Sequence, residues 1–507
     1  MNKKSFSKFF EYENILQFLV LSIPALLITG PFLPDLFLSL SSISFLIYLI
    51  IKKRLNFLES KIFYFFLVFL FLCISSSILS DYRLGSLPTS LGYFRFGIFI
   101  FVIAFLSQKK SNFIKNLSFV LITIFIILFF DAILQKLTGS NILGVQKPFG
   151  RVTSLFGEDI KLGGYVMRLV PLLIASLIYL KSNKFLVFSI ILLSLFLTLI
   201  SGERTSFIMT LVFTISFITI YQIELKKKFL LILIPFTIFL ISLFNEEIRY
   251  RVLTTTLNQI NFTDSQPYYK MERTKNDNLV VIHSDSTLLP RVYHMYIETG
   301  IKIFNDNILI GSGPRTYRFK SKEDKYLTIS DHEGWINYVE NHNKELINKL
   351  RKIHIEQINK ISNHKKFKLL KENRELINQN EYKNWLLSHG LSSLDFQERI
   401  KNKDWLKGHG FQDKDQEGFT NISGVNNHPH NTYIQLLSET GVLGFSLIIS
   451  IWIFSMFKIF TNIDLYSKCI LIGILINLFP IMPTGNFFNN WLSILYFYPL
   501  GFLIKKT

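Results

Sequence analysis

The residues most able to do chemistry in this chain are histidines and arginines set beside long apolar blocks. In "NNHPHNTYIQLLSETGVLG", residues 426–444, His428 and His430 stand at the mouth of an apolar run that Gly441 and Gly444 interrupt. Histidine can take a proton from a hydroxyl near neutral pH. In "SGERTSF", residues 201–207, Glu203 and Arg204 form almost the whole connection between two apolar blocks. Arg151 in "FGRVTSLFG" precedes another block, Arg168 lies inside it, Arg95 opens a further one, and Arg291 opens a polar helix. A guanidinium fork pairs bidentately with a diphosphate and keeps its charge near lipid. Snorkelling or a salt bridge explains Arg95 and Arg168 equally well. Arg204 has no loop to carry it away from the membrane boundary, which makes it the stronger candidate. Several arginines and one histidine suit transfer from a lipid diphosphate to a hydroxyl, with the arginines stabilising the departing anion. No Asp-rich cluster is apparent, so no metal site is expected, and Glu203 is available either to a ligand or to Arg204.

These residues must be positioned by membrane helices. The chain has 507 residues, is 49% hydrophobic and contains 51 phenylalanines. Its apolar residues come in solid blocks of about 20, the length that crosses a hydrocarbon slab of roughly 30 Å. Twelve blocks fall at roughly 14–30, 33–51, 61–80, 92–107, 116–136, 163–180, 184–200, 205–222, 228–244, 433–457, 465–483 and 485–503. The spacing predicts an all-α polytopic membrane protein. Basic clusters such as Lys52/Lys53/Arg54, Lys109/Lys110/Lys115 and Lys226/Lys227/Lys228 occupy every even-numbered gap, which places both ends in the cytoplasm. The first block has no small-residue cleavage site and reads as a retained span. Cys73 and Cys469 both lie inside apolar blocks and make no disulfide or metal framework.

The expected organisation is a membrane domain over 1–244, an outward-facing domain over 245–432, and a second membrane domain over 433–507. All ten histidines lie in 245–432. That segment has 28 basic and 24 acidic residues, a net of only +4 of the chain's +19. The remaining charge sits mostly in the cytoplasmic clusters, which is an orientation signal with attraction to anionic lipid and not a nucleic-acid footprint. Within the loop, 286–305 reads as a helix with Val292, Met295/Tyr296, Thr299 and Ile303 on one face, ended by the "GSGP" turn at 311–314. Residues 333–381 also have helical spacing. "NWLLSHGL" (384–391) and "DWLKGHGF" (404–411) repeat each other and read as helix ends stopped by glycine.

"HNTYIQLLSETGVLG" begins with His430-Asn431, runs nine residues, and then has Gly441, two residues and Gly444. This resembles the O-antigen ligase family, whose motif is His, then Asn, Ser or Gln, nine residues, Gly, two residues, Gly. "RVYHMYIETGIKIFNDNILIGSGPRTYRF" (291–319), "SGERTSF" and the "TGSNILG…GRVTSLFG…LGGY" run (138–165) are similar to further segments of that family. Together the matches span about 130–320 and 425–460. The resemblance implies a metal-independent, cofactor-free transferase of the bacterial inner membrane whose active site faces the periplasm. An acceptor hydroxyl, on lipid A-core or another glycan, would attack an undecaprenyl-diphosphate-linked glycan with inversion. His430 would be the base, and Arg204 and Arg291 would hold the diphosphate. Asn431, Tyr433, Arg151 and Glu203 would contact substrate, and Gly441 and Gly444 would let the tenth span pack closely on a neighbour. Residues 320–425 depart from the pattern and read as a helical insertion. A polysaccharide polymerase of the same superfamily is the alternative within the family. The Arg, ten residues, Gly pattern of some polymerases does not start at Arg204, Arg249, Arg251, Arg291 or Arg315. A transporter or flippase would show internal repeats and broken helices with charges near mid-membrane.

Overall fold

The computed structural model describes residues 11–148, 151–221, 249, 268–273, 279–284, 291–323, 325–326, 426–480 and 482–504. The chain divides into two compact units. Met1–Leu257, Asn307–Thr316 and Asn431–Thr507 make the first, and Asn258–Asp306 with Tyr317–His430 make the second.

The first unit is helical. It contains α1 (Tyr12–Leu26), α2 (Phe32–Ile51), α3 (Lys61–Leu79), α4 (Arg83–Gly92), α5 (Phe94–Lys109), α6 (Phe113–Thr138), α7 (Leu162–Tyr179), α8 (Lys184–Ile200) and α9 (Arg204–Ile220). Among the described residues, seven helical stretches are long and apolar enough to cross a membrane, and three further apolar helices are shorter. Large apolar side chains stand exposed along them, among them Phe18, Phe71, Phe119, Phe185 and Phe457. Water would not tolerate so large an apolar surface, and lipid would. This is the make-up of a membrane-embedded protein. Helix starts are fixed by short polar side chains that accept otherwise unpaired N–H groups. Ser60 caps α3 through Phe63, and Asn183 caps α8 through Phe185.

The centre of this unit is α7. In its most apolar window 89% of the residues are buried, against 28% in α1 or α3. Pro171 in α7 faces Gly473, where an added Cβ would come within 2.8 Å of the proline ring. Gly473 belongs to the C-terminal part of the chain, which the second unit separates in sequence from α9.

The second unit, among its described residues, holds an antiparallel ribbon of β1 (Tyr268–Arg273) and β2 (Leu279–Ser284), pairing Tyr268 with Ser284 and Arg273 with Leu279. No strand was expected there. α10 (Arg291–Asp306) follows, and Met295, Tyr296, Thr299 and Ile303 form its buried face, on the spacing expected from the sequence. The hydroxyl of Tyr317, in the short α11 (Tyr317–Lys320), donates to the carbonyl of Tyr296.

The chain then returns to the first unit through α12 (Thr432–Ile459), α13 (Leu465–Asn477) and α14 (Asn490–Phe497). Three segments differ from expectation. Residues 81–91, left between the expected spans 61–80 and 92–107, contain most of α4. The expected span 433–457 is not one helix but two, broken at Gly441. The block at 485–503 holds only the 8-residue α14 and a 3-10 turn, Pro499–Leu503. The expected span at roughly 228–244, the helices at 333–381, most of the 320–425 insertion and both glycine-stopped repeats lie outside the described residues.

Candidate functional site

The stretch after His430 is built to hold a backbone in place. Asn431 is extended (φ −140°) and caps α12, its Oδ1 accepting from the N–H groups of Tyr433 and Ile434 at 2.9 and 3.1 Å. Its Nδ2 donates to the carbonyl of Pro480 at 2.7 Å. Tyr433 is buried and donates to the carbonyl of Leu478 at 2.6 Å. Gln435 donates to Asn486 and Glu439 and accepts from the N–H of Phe487. The sequence suggested Asn431 and Tyr433 as substrate contacts. In the structure their polar atoms are engaged within the fold.

At Gly441 the backbone leaves helical geometry, with φ 64° and ψ −170°. The "GSGP" segment is laid into that break by four backbone bonds. Ser312 and Gly313 N–H donate to the carbonyls of Ser438 and Glu439, and Val442 and Leu443 N–H donate to those of Ile308 and Leu309. A Cβ on Gly441 would lie 2.4 Å from the Leu309 carbonyl, and one on Gly311 would lie 2.3 Å from the backbone of Glu439. Only glycine combines the positive φ with so close an approach. Serines of α3 and α4 finish the joint. Ser76 donates to the Glu439 carbonyl at 3.0 Å, Ser86 donates to that of Pro314 at 2.8 Å, and Ser77 bonds both Ser86 and Ser90. The glycine pair was expected to serve helix packing. Gly441 instead admits the 308–313 backbone, and a Cβ on Gly444 would meet Thr440 Oγ1, just before the break.

His430 has a different environment. It is the last residue of the second unit and sits in the left-handed region at φ 52°, which disfavours any residue with a side chain. Its Nε2 lies 3.0 Å from Asn426 Nδ2. The Tyr296 ring stacks on it at 5.0 Å, Tyr293 meets it edge-on at 5.6 Å, and the His428 ring is 4.2 Å away. Burial holds the His430 imidazole down at about 4, so it is neutral at physiological pH. A neutral imidazole has a lone pair to offer a hydroxyl proton. Burial also raises the Tyr296 phenol, which stays protonated. Arg291 is the first residue of the helix whose Tyr293 and Tyr296 enclose His430. Asn426 and Tyr293 were not singled out from sequence, and Tyr296 was read only as part of a helix face. Neither tyrosine lies next to a histidine of the motif, and only the fold brings them together.

The arginine hairpin lies in the first unit. Glu203 Oε1 accepts from the Gly163 N–H at 2.6 Å, and Oε2 accepts from the Gly164 N–H and the Ser206 hydroxyl, both at 3.0 Å. Glu203 thus caps the start of α7, where helix N–H groups need acceptors. Burial pushes its carboxyl up, against the pull of those donors and of Arg168. Arg168 is buried and donates through Nη1 to the Gly164 carbonyl. Arg204 opens α9 directly after Glu203. Arg151 follows a loop that Gln135 and Asn141 organise, Gln135 accepting from Thr153 and Ser154, and Asn141 from Leu143 and Val145. The Nε atoms of Arg151 and Arg168 are buried without a hydrogen-bond partner. A buried guanidinium donor left open in this way suits an anion. Arg95 is different, since Asp35 holds it by two bonds to Oδ1 and Asn490 holds Asp35 in turn.

Of the expected catalytic residues, the structure places Arg291 and His430 in the second unit and Arg204 in the first. Among the described residues no three His, Cys, Asp or Glu side chains group as metal ligands. No known protein family, curated protein or solved structure matches the chain.

Proposed function

We propose that this protein is a membrane glycan transferase of the O-antigen ligase type, with twelve crossings, both ends cytoplasmic and its site on the outer face of a bacterial inner membrane. The observation that carries the proposal is the joint at Gly441. Two segments that carry the family resemblance, residues 308–313 and 438–443, lie more than a hundred residues apart and interlock through four backbone bonds. Such an interlock gives the glycine spacing after His430 a physical reason. In the proposed reaction the acceptor hydroxyl gives its proton to His430 while its oxygen bonds to the anomeric carbon. The bond from that carbon to the diphosphate oxygen breaks, and the electron pair leaves with undecaprenyl diphosphate. Arg204 and Arg291 stabilise the leaving anion, with Arg151 as a further donor, and no metal or cofactor takes part. The proton passes from the imidazolium to water.

Deleting the gene tests the proposal in the cell. The expected result is loss of a surface glycan with accumulation of its undecaprenyl-linked precursor. Unchanged surface glycan with no such precursor would refute it.

A further inference from the structure

The Asn426 amide is fixed in orientation. Its Oδ1 accepts from the Asn427 N–H at 2.6 Å, so its Nδ2 is the atom that faces His430 Nε2 at 3.0 Å. Its position is held further by Tyr296, whose phenol it hydrogen-bonds, and by the Ser321 hydroxyl, which reaches the Asn426 carbonyl. An amide nitrogen is a donor only. His430 Nε2 must therefore be the acceptor, and in a neutral imidazole the other nitrogen, Nδ1, then carries the proton. The titratable groups facing His430 among the described residues are Tyr293 and Tyr296 from α10 and His428 from its own segment.

We infer that Asn426 is a positioning residue that selects the Nδ1–H tautomer of His430 and occupies the place on Nε2 which the acceptor hydroxyl takes. The part concerning the acceptor rests on the function proposed above. The tautomer does not. An amide that donates to Nε2 keeps the lone pair on the same atom that must later receive the hydroxyl proton. The hydroxyl then replaces one donor by another, and the imidazole need not exchange protons between its nitrogens first. The left-handed backbone at His430 lets the ring turn back towards Asn426, four residues earlier.

The test is carbethoxylation of the full-length protein in detergent by diethylpyrocarbonate, which attacks an unprotonated imidazole nitrogen. The His430-containing peptide is followed by mass spectrometry between pH 4 and 8. Asn426→Ala uncovers Nε2 and is expected to speed His430 modification several-fold at pH 7. Asn426→Asp offers a carboxylate, which accepts a hydrogen bond from Nε2–H and so stabilises the imidazolium. Its modification midpoint is expected to move up by at least about one pH unit. Asn426→Gln displaces the amide by one methylene and serves as the second variant should Asn426→Ala fail to fold. Unchanged rate and midpoint in the folded variants would overturn the inference. In a transfer assay Asn426→Ala should lower kcat while leaving the acceptor KM equal or lower, because the competing amide is gone. If the wild type transfers no glycan but the carbethoxylation shifts appear, the proposed function fails and the tautomer assignment stands.

Discussion

Residues 426–430 and residues 431–444 are neighbours in sequence and opposites in construction. In the second stretch nearly every polar atom is spent on holding backbone: Asn431 on α12 and Pro480, Gln435 on Phe487, Asn486 and Glu439. In the first stretch a histidine sits on a disfavoured backbone between two tyrosine rings, with its basicity lowered by burial. The difference separates two reasons for a polar residue at a membrane boundary. Asn431 and Glu203 answer helix termini. His430 caps no helix, and its strained backbone has a cost of order 1–3 kcal/mol.

The comparison is broken most strongly by changing His430 itself. His430→Ala should reduce transfer by roughly 10²–10⁴-fold, the usual contribution of a general base. Its melting temperature in detergent should change little, since the cap at Asn431 is untouched and the left-handed backbone disfavours alanine as it does histidine. A marked loss of folded protein would move His430 to the structural side.

Next in size is Gly441→Ala. The positive φ and the Cβ placed 2.4 Å from the Leu309 carbonyl should destabilise the fold by on the order of 3 kcal/mol. Melting monitored by size exclusion reads this directly. An alanine variant as stable as the wild type would mean the 308–313 segment does not dock into the break. Helix-capping predicts smaller losses. Asn431→Ala and Glu203→Ala should each lower stability by about 1 kcal/mol, and Asn431→Asp, which keeps the cap acceptor but sets a carboxylate oxygen against the Pro480 carbonyl, should not restore the wild-type value.

How far these features could be read beforehand depends on their range. Apolar blocks announce helices because hydrocarbon thickness sets their length, so α1, α2, α3 and α6 stand where the sequence places them. The face of α10 was legible because its period is local. Gly441 was visible as a glycine but not as a break, since the partner that needs the gap is the backbone of Ile308–Gly313. Serines at 76, 77, 86 and 90 looked like ordinary helix residues, and their role appears only when α3 and α4 meet the turn. Asn431 carried a legible cap signal, a short polar residue just before an apolar helix, which its place in the motif obscured. Glu439, a single buried carboxylate, gave no local pattern at all.

A further expected effect is in pH. A group whose folded-state value lies below its unfolded one binds fewer protons when folded. The stability that neutral His430 contributes is complete above about 6.5 and is lost as pH falls through about 4. Between those values the wild type should lose stability on acidification, and His430→Ala should lose less. Melting curves at pH 4.5 and 7.5 compare the two, and equal slopes would remove the buried neutral imidazole.

The most direct measurement is transfer by purified protein, given an undecaprenyl-diphosphate-linked glycan and a hydroxyl acceptor, with chelator present. The expected result is glycan on the acceptor with inverted anomeric configuration for the wild type, and nearly none for His430→Ala, although both bind the donor equally. Full transfer by His430→Ala at equal protein level, or transfer that requires added Mg²⁺ or Mn²⁺, would contradict the assignment of His430 as the base of a metal-independent glycan transferase.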